Sequence, residues 1–181
     1  MSTTRIAGLV LAGAVLFTSV ACADGGIGPE DDATALLGIA PLNGSADISV
    51  GTSVVATFDH PVGVGMEAFA ALHEGALTGT EVEGVWTLSS DRTALAFQPD
   101  RALKPATTYV LHLGGGMTDD HGNHVNLGQH GLGMGGEWAT ASMMTGGMGM
   151  GAGNGHMLGS GWTHPSNGSY GMIFSFTTAA S

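Results

Sequence analysis

The chain predicts an all-β fold, a sandwich built from short antiparallel strands. Three observations lead there. Apolar and polar residues alternate in short runs, the signature of half-buried strands. Clusters of Gly, Pro, Asn, Asp and Ser separate those runs at regular intervals. No segment carries the apolar period of about 3.6 residues that marks an amphipathic helix.

The strands are expected, in order, at 36–40, 52–58, 68–73, 82–88, 93–98, 108–113 and 172–178. The last two alternate most clearly. Tyr109, Leu111 and Leu113 share one face, as do Met172, Phe174 and Phe176, whereas His112 points the other way and is expected to face solvent. Pro41-Leu42-Asn43-Gly44, His60-Pro61, Ser89-Ser90-Asp91 and Pro99-Asp100 supply the breaks. Phe58, Trp86, Leu95, Phe97, Tyr109, Leu111, Phe174 and Phe176 are the expected core, with Met172 beside them. His60 and His73 read as ordinary loop or strand-end histidines.

The chain of 181 residues has a formal net charge of −11. Beyond Arg5 its only cations are Arg92, Arg101 and Lys104. Nucleic acid requires clustered Lys and Arg to displace phosphate counterions, so a nucleic-acid partner is excluded. Docking on anionic lipid through a basic face is excluded on the same ground.

Residues 1–22 read as a secretory signal peptide: Arg5, an apolar run over 6–17, then small residues up to Cys22. The apolar run is shorter than the roughly 20 residues a membrane-spanning helix needs. Cys22 is the sole cysteine and has no disulfide partner in the chain. Ser19-Val20-Ala21-Cys22 resembles a lipobox, where bacteria acylate a cysteine and cleave before it. That resemblance implies a lipid anchor at Cys22; ordinary cleavage after Ala23 is the competing reading. Residues 23–35, with Glu30, Asp31 and Asp32 among Gly and Pro, form a flexible acidic tether.

A broader resemblance rests on a series of motifs. Pro41 and Gly44 precede the second predicted strand, which ends at Phe58 with Pro61 following. Phe97 and Pro99 lead to Leu103, Pro105, Thr107 and Tyr109, then to Asp120, Gly122 and Asn123, and the chain closes on Phe176, Thr177 and Thr178. In this order they resemble the SbsA-type Ig-like domain of bacterial surface proteins. The resemblance implies an Ig-like antiparallel β-sandwich of about seven strands, spanning 36–181, with a role in the cell envelope. In that family the Gly-Asn turn runs almost directly into the last strand. Here a long Gly/Met-rich insert, 126–171, intervenes. An insert of this length inside a compact domain is either functional or a passive low-complexity loop.

The insert is rich in Met and His and has no Lys or Arg. Met143, Met144, Met148, Met150, His156 and Met157 form its densest part. Thioether and imidazole are soft-to-borderline ligands suited to copper, above all Cu(I). The segment resembles the Met/His-rich copper segments of periplasmic copper-handling proteins, some of which are small β-sandwiches of the CopC type. The competing reading is that these methionines fill irregular apolar surface. Asp119 to Asn123 could offer oxygens to Ca²⁺, but the residues suit a tight turn better.

No Gly-x-Ser-x-Gly or His-Glu-x-x-His motif occurs, and Gly131 to Gly136 match a dinucleotide pattern only by chance in a Gly-rich tract. The expected function is a non-enzymatic, lipid-anchored cell-envelope module for adhesion, assembly or spacing, held to the membrane through its anchor and facing an unknown envelope partner. The alternative is a periplasmic or surface copper-binding protein.

Overall fold

The computed structural model describes residues 33–128, 135–145, 155–159 and 161–181. The signal peptide, most of the tether, Cys22, Met148 and Met150 lie outside the described residues.

The fold is an all-β sandwich of two sheets. Its strands are β1 (Leu36–Ala40), β2 (Ser45–Ile48), β3 (Val54–Phe58), β4 (Ala70–Glu74), β5 (Gly84–Leu88), β6 (Ala94–Pro99), β7 (Thr108–Leu113), β8 (Glu137–Trp138) and β9 (Met172–Thr178). The first sheet runs β1-β3-β6-β5; the second runs β2-β9-β7-β4, with the short β8 also pairing β9. Alternation dictates which side chains meet between them. Val54, Ala56 and Phe58 of β3 and Leu95 and Phe97 of β6 face Leu72, Tyr109, Leu111, Leu113, Phe174 and Phe176 in one buried cluster. Register sharpens the packing. Tyr109 lies opposite Phe176 and Leu111 opposite Phe174, and the Tyr109 and Phe176 rings stack at 5.7 Å.

All seven expected strands are present, each displaced by at most a few residues. Four expectations need correcting. First, β2 pairs β9 in parallel, so the second sheet is not wholly antiparallel. Its four residues carry only one strong strand former, Ile48, so no run announces it. Second, residues Met66–Phe69 form a 3₁₀ turn, so the fourth strand starts at Ala70. Third, Trp86 is half-buried rather than fully in the core. It sits on β5, the sheet edge, and covers Phe97 at 4.7 Å between ring centroids. Fourth, His112 and His73 are fully buried. Both do point away from the sandwich core, but the face they point to is covered.

The motif residues close the fold through hydrogen bonds. The Tyr109 hydroxyl accepts the Lys104 amide proton at 2.8 Å, a link resembling the tyrosine corner of Ig-like sandwiches. The Thr178 hydroxyl donates to the Lys104 carbonyl at 2.6 Å and accepts the Thr107 amide at 3.0 Å. Thus the Leu103–Tyr109 corner is fastened to the final strand.

Asp119 organises the next turn. Its Oδ1 accepts the amides of His121 and Asn123, each at 2.8 Å, and its Oδ2 accepts the Asn123 side-chain amide at 3.1 Å. Burial alone would raise its carboxyl pKa. The bonds from Asn123 and His121 outweigh that and hold it below the ordinary 3.8. A carboxylate with a depressed folded pKa contributes stability that is present above its unfolded value and fades as pH falls through the folded one. Asp119→Asn is therefore expected to cost about 1–3 kcal/mol at neutral pH, with the difference from wild type narrowing below about pH 4. Urea denaturation at pH 7 and pH 3 checks both arms.

Candidate functional site

The outer face of the second sheet carries the candidate chemistry, because the insert folds back onto it. The strands present Ala71, Val110, His112 and Ile173 there. Parts of the insert cover them: α1 (Ala141–Thr145), the 3₁₀ turn Gly155–Leu158, and the segment around Trp162. Ala71, Val110, Ala139, Met144, Met157 and Trp162 make a second buried cluster, distinct from the sandwich core.

Close backbone approach makes this docking possible. The Gly114 amide donates to the Phe69 carbonyl at 2.7 Å and the Gly115 amide to the Trp162 carbonyl at 2.9 Å. A Cβ at Gly116 would run into the Gly161 carbonyl, backbone against backbone. Gly116→Ala is accordingly expected to destabilise by about 1–3 kcal/mol. Thermal melting of that variant beside Gly122→Ala separates the causes. Gly122 has φ of 87° and open space around it, so only backbone strain acts there.

The expected ligands fall into distinct environments. Met143 stands on α1, 37% exposed, beside a cleft of about 560 Å³ that Leu77, Val110 and Ile173 also line. Met144 and Met157 are buried. His156 lies on the Gly155–Leu158 turn next to Met157. The structure therefore joins Met144 and Met157 in one cluster and leaves Met143 at its rim.

Sequence reasoning missed a buried imidazole–thioether contact. Met157 Sδ lies 3.2 Å from His112 Nδ1. The other ring nitrogen of His112, Nε2, donates to the Tyr170 carbonyl at 2.6 Å. The Trp162 ring lies 4.9 Å from the imidazole between centroids, tilted by 33°. A signal was available: Ala71, Val110 and Ile173 are apolar residues on the supposedly wet face of three adjacent strands.

A second imidazole pair lies at the sheet end. His124 and His164 have ring centroids 6.2 Å apart, with Trp138 edge-on to His164 at 5.6 Å. His164 Nδ1 also lies 2.9 Å from the Ser166 hydroxyl. Desolvation, then the neighbouring His124, lower the His164 pKa below 6.5. A base with a lowered folded pKa weakens the fold as pH drops through its unfolded value. Amide protection around residues 161–169 is thus expected to fall as pH drops below about 6.5, measured by hydrogen exchange.

The acidic turn is accounted for without a metal. Asp119, Asp120 and His121 bring ligand atoms within 4.8 Å of one another. However, Asp119 is filled by its turn bonds, and Asp120 pairs with Arg92 and with His121 Nδ1, each at 2.9 Å.

With the geometry in view, a family model described as a bacterial Ig-like domain matches residues 30–132, over half of the chain. The chain belongs to that family. The match covers Ala71 and Val110 of the second cluster and stops before Ala139, Met144, Met157 and Trp162, as it does before β9. No curated protein matches in sequence. Among solved structures, the Ig-like chain is similar to the S-layer protein SbsC at 17% identity and TM-score 0.38, covering 51% of this chain and 12% of that one. It is similar to Mycobacterium tuberculosis L,D-transpeptidase 1 at 17% identity and TM-score 0.36, covering 52% and 38%. It is also similar to PcoC, a methionine-rich copper resistance protein from Escherichia coli, at 14% identity and TM-score 0.40, covering 80% and 97%. The chain thus spans well under half the length of the transpeptidase and of SbsC. None of these likenesses bears on what this chain does.

Proposed function

We propose that the protein is a non-enzymatic cell-envelope module of SbsA type, exported, lipid-anchored through Cys22, and serving adhesion, assembly or spacing. The observation that carries this reading is the use of the sheets. Both inner faces are filled by apolar packing, and the insert covers part of the second outer face. Interaction is left to loops and the first sheet, as in a display module. Among the described residues, no helix is long and apolar enough to cross a membrane; in this reading the lipid on Cys22 holds the chain to the membrane. Two acyl chains suffice, since each buried methylene contributes about 0.8 kcal/mol.

The test is fractionation of cells expressing wild type and Cys22→Ser. Wild type is expected with membranes and the variant in the soluble fraction. Mass spectrometry of wild type should find an acylated Cys22 at the N-terminus; an unmodified terminus at Asp24 would defeat the anchor.

A second reading, capture of Cu(I) by the insert, is favoured by one observation: the insert lays thioethers against a sheet face that presents imidazole. In this reading Met143, Met144, Met148, Met150, His156 and Met157 supply the donors. Replacing Met143, Met144, Met148 and Met150 together with Leu should lower Cu(I) affinity. Apo stability should change by less than about 1.5 kcal/mol, because Met and Leu have similar volume.

A further inference from the structure

We propose that the cleft at the sheet end, where the insert meets the turn over 122–126, binds a neutral saccharide. The proposal rests on the envelope-module reading above and names the chemical class of its partner.

The cleft has a volume of about 610 Å³, within the roughly 300–1,000 Å³ of small-ligand sites. Two stretches distant in sequence build it. The turn contributes His124 and Asn126, and the insert contributes Trp138, His164, Ser166 and Asn167. The cleft therefore exists only while the insert is docked on the sandwich.

The lining narrows the ligand by what it lacks. Among the described residues, no Asp, Glu, Lys or Arg lines the cleft, although the chain has a net charge of −11. A phosphate or carboxylate meets no cation there, and an amine meets no carboxylate. Ala33 and Pro165 are the only aliphatic side chains in the lining, so an apolar ligand finds little to bury against. A peptide docks on an open sheet edge, in an apolar groove or at a charged end-pocket. Trp138 is the only strand residue in the lining, and its strand, β8, has two residues. That edge is too short for a peptide strand to extend. What remains is uncharged hydrogen bonding beside an aromatic ring. A sugar supplies both counterparts: hydroxyls that donate and accept, and C–H patches that meet the negative face of an indole.

The polar groups are held in place before a ligand arrives. The His164 amide donates to the Ser169 carbonyl at 2.7 Å, and the Gly168 amide donates back to the His164 carbonyl at 2.9 Å. Asn167 Oδ1 accepts the Ser169 amide at 2.9 Å, and Asn126 Oδ1 accepts the Gly128 amide at 3.2 Å. The Ser166 amide, which can only donate, reaches His164 Nδ1 at 3.3 Å. The neutral ring thus carries its proton on Nε2, as a donor. Trp138 is half-buried and packs on the sandwich core, which makes it a rigid platform. Binding to such a lining loses little ordering entropy.

The experiment is titration of the purified full chain with galactose, mannose, N-acetylglucosamine and lactose, followed by heat and by tryptophan fluorescence. Glucosamine, N-acetylneuraminic acid and a blocked neutral tripeptide are the comparison probes. At least one neutral sugar is expected to bind, with a fluorescence change that Trp138→Phe abolishes. Asn167→Ala should weaken that binding roughly tenfold. His124→Ala, which leaves the loop bonds over 164–169 in place, should weaken it likewise. Ser142→Ala, in the separate cleft beside Met143, should leave it unchanged. Melting temperatures report whether each variant is folded. The proposal is overturned if no neutral sugar binds, if only the charged sugars or the peptide bind, or if binding survives both Asn167→Ala and His124→Ala. Fractionation of wild type against Cys22→Ser tests the module separately. An anchored wild type that binds no sugar overturns the cleft and leaves the module standing; an unanchored one that binds sugar does the reverse.

Discussion

Phe176→Ala is expected to destabilise the protein by about 3–5 kcal/mol, the usual cost of truncating a fully buried aromatic side chain. Phe176 is 3% exposed, sits at the centre of β9, and stacks on Tyr109 at 5.7 Å. The strand behind it cannot slide to refill the space. It is held by β7 on one side and β2 on the other, and Thr178 bonds to the Lys104 corner. The residual cavity should therefore persist, which places the cost toward the upper end. The melting temperature should drop by about 10 °C. Urea midpoints followed by far-UV circular dichroism give the free energy directly. A loss below 1 kcal/mol would mean that the two sheets do not close on Phe176.

Trp162→Ala is expected to cost a similar amount, about 3–5 kcal/mol, although Trp162 lies outside the Ig-like core. It is 4% exposed, contacts Phe69 edge-on at 5.8 Å and lies over His112. The sequence alone suggests that 126–171 is an excursion whose removal leaves the sandwich untouched. The structure leads to a different expectation. Removing the insert would uncover Ala71, Val110 and Ile173 and strip His112 of the Tyr170 carbonyl. Deletion should therefore destabilise rather than act neutrally. The discriminating measurement is whether Trp162→Ala lowers the global transition seen by circular dichroism. An unchanged transition, with only local amide protection lost, would show that the insert folds as its own low-stability unit.

How far the sequence could be read follows from which forces act locally. Period-2 alternation placed Tyr109, Leu111, Phe174 and Phe176 inside because one face of each strand is apolar and side chains must alternate. The turn over 119–123 was legible because Asp and Asn side chains bond nearby amides, but the motif was matched on Asp120, whereas the carboxylate that accepts those amides is that of Asp119. β2 was not, since its pairing with β9 depends on a partner more than a hundred residues away. His112 was misread for a related reason. Alternation says which face a residue occupies, but what lies against that face depends on a distant segment. The triple glycine at 114–116 was printed in the sequence, yet its meaning required knowing that Gly161 and Trp162 arrive there. The Met-rich run includes Met157, but nothing in it announces the contact with His112 on β7.

The ion pairs have a consequence beyond the turns they join. Arg92 is committed to Asp120 and Lys104 to Glu74, so two of the few cations are neutralised at short range. What projects outward from a chain of net charge −11 is then an almost unopposed negative field. That field reaches about 10 Å at 0.1 M salt and about 3 Å at 1 M. Copies tethered side by side on one surface would hold each other apart in dilute medium and crowd together in brine. Lateral density would thus answer to ionic strength without any specific contact between them.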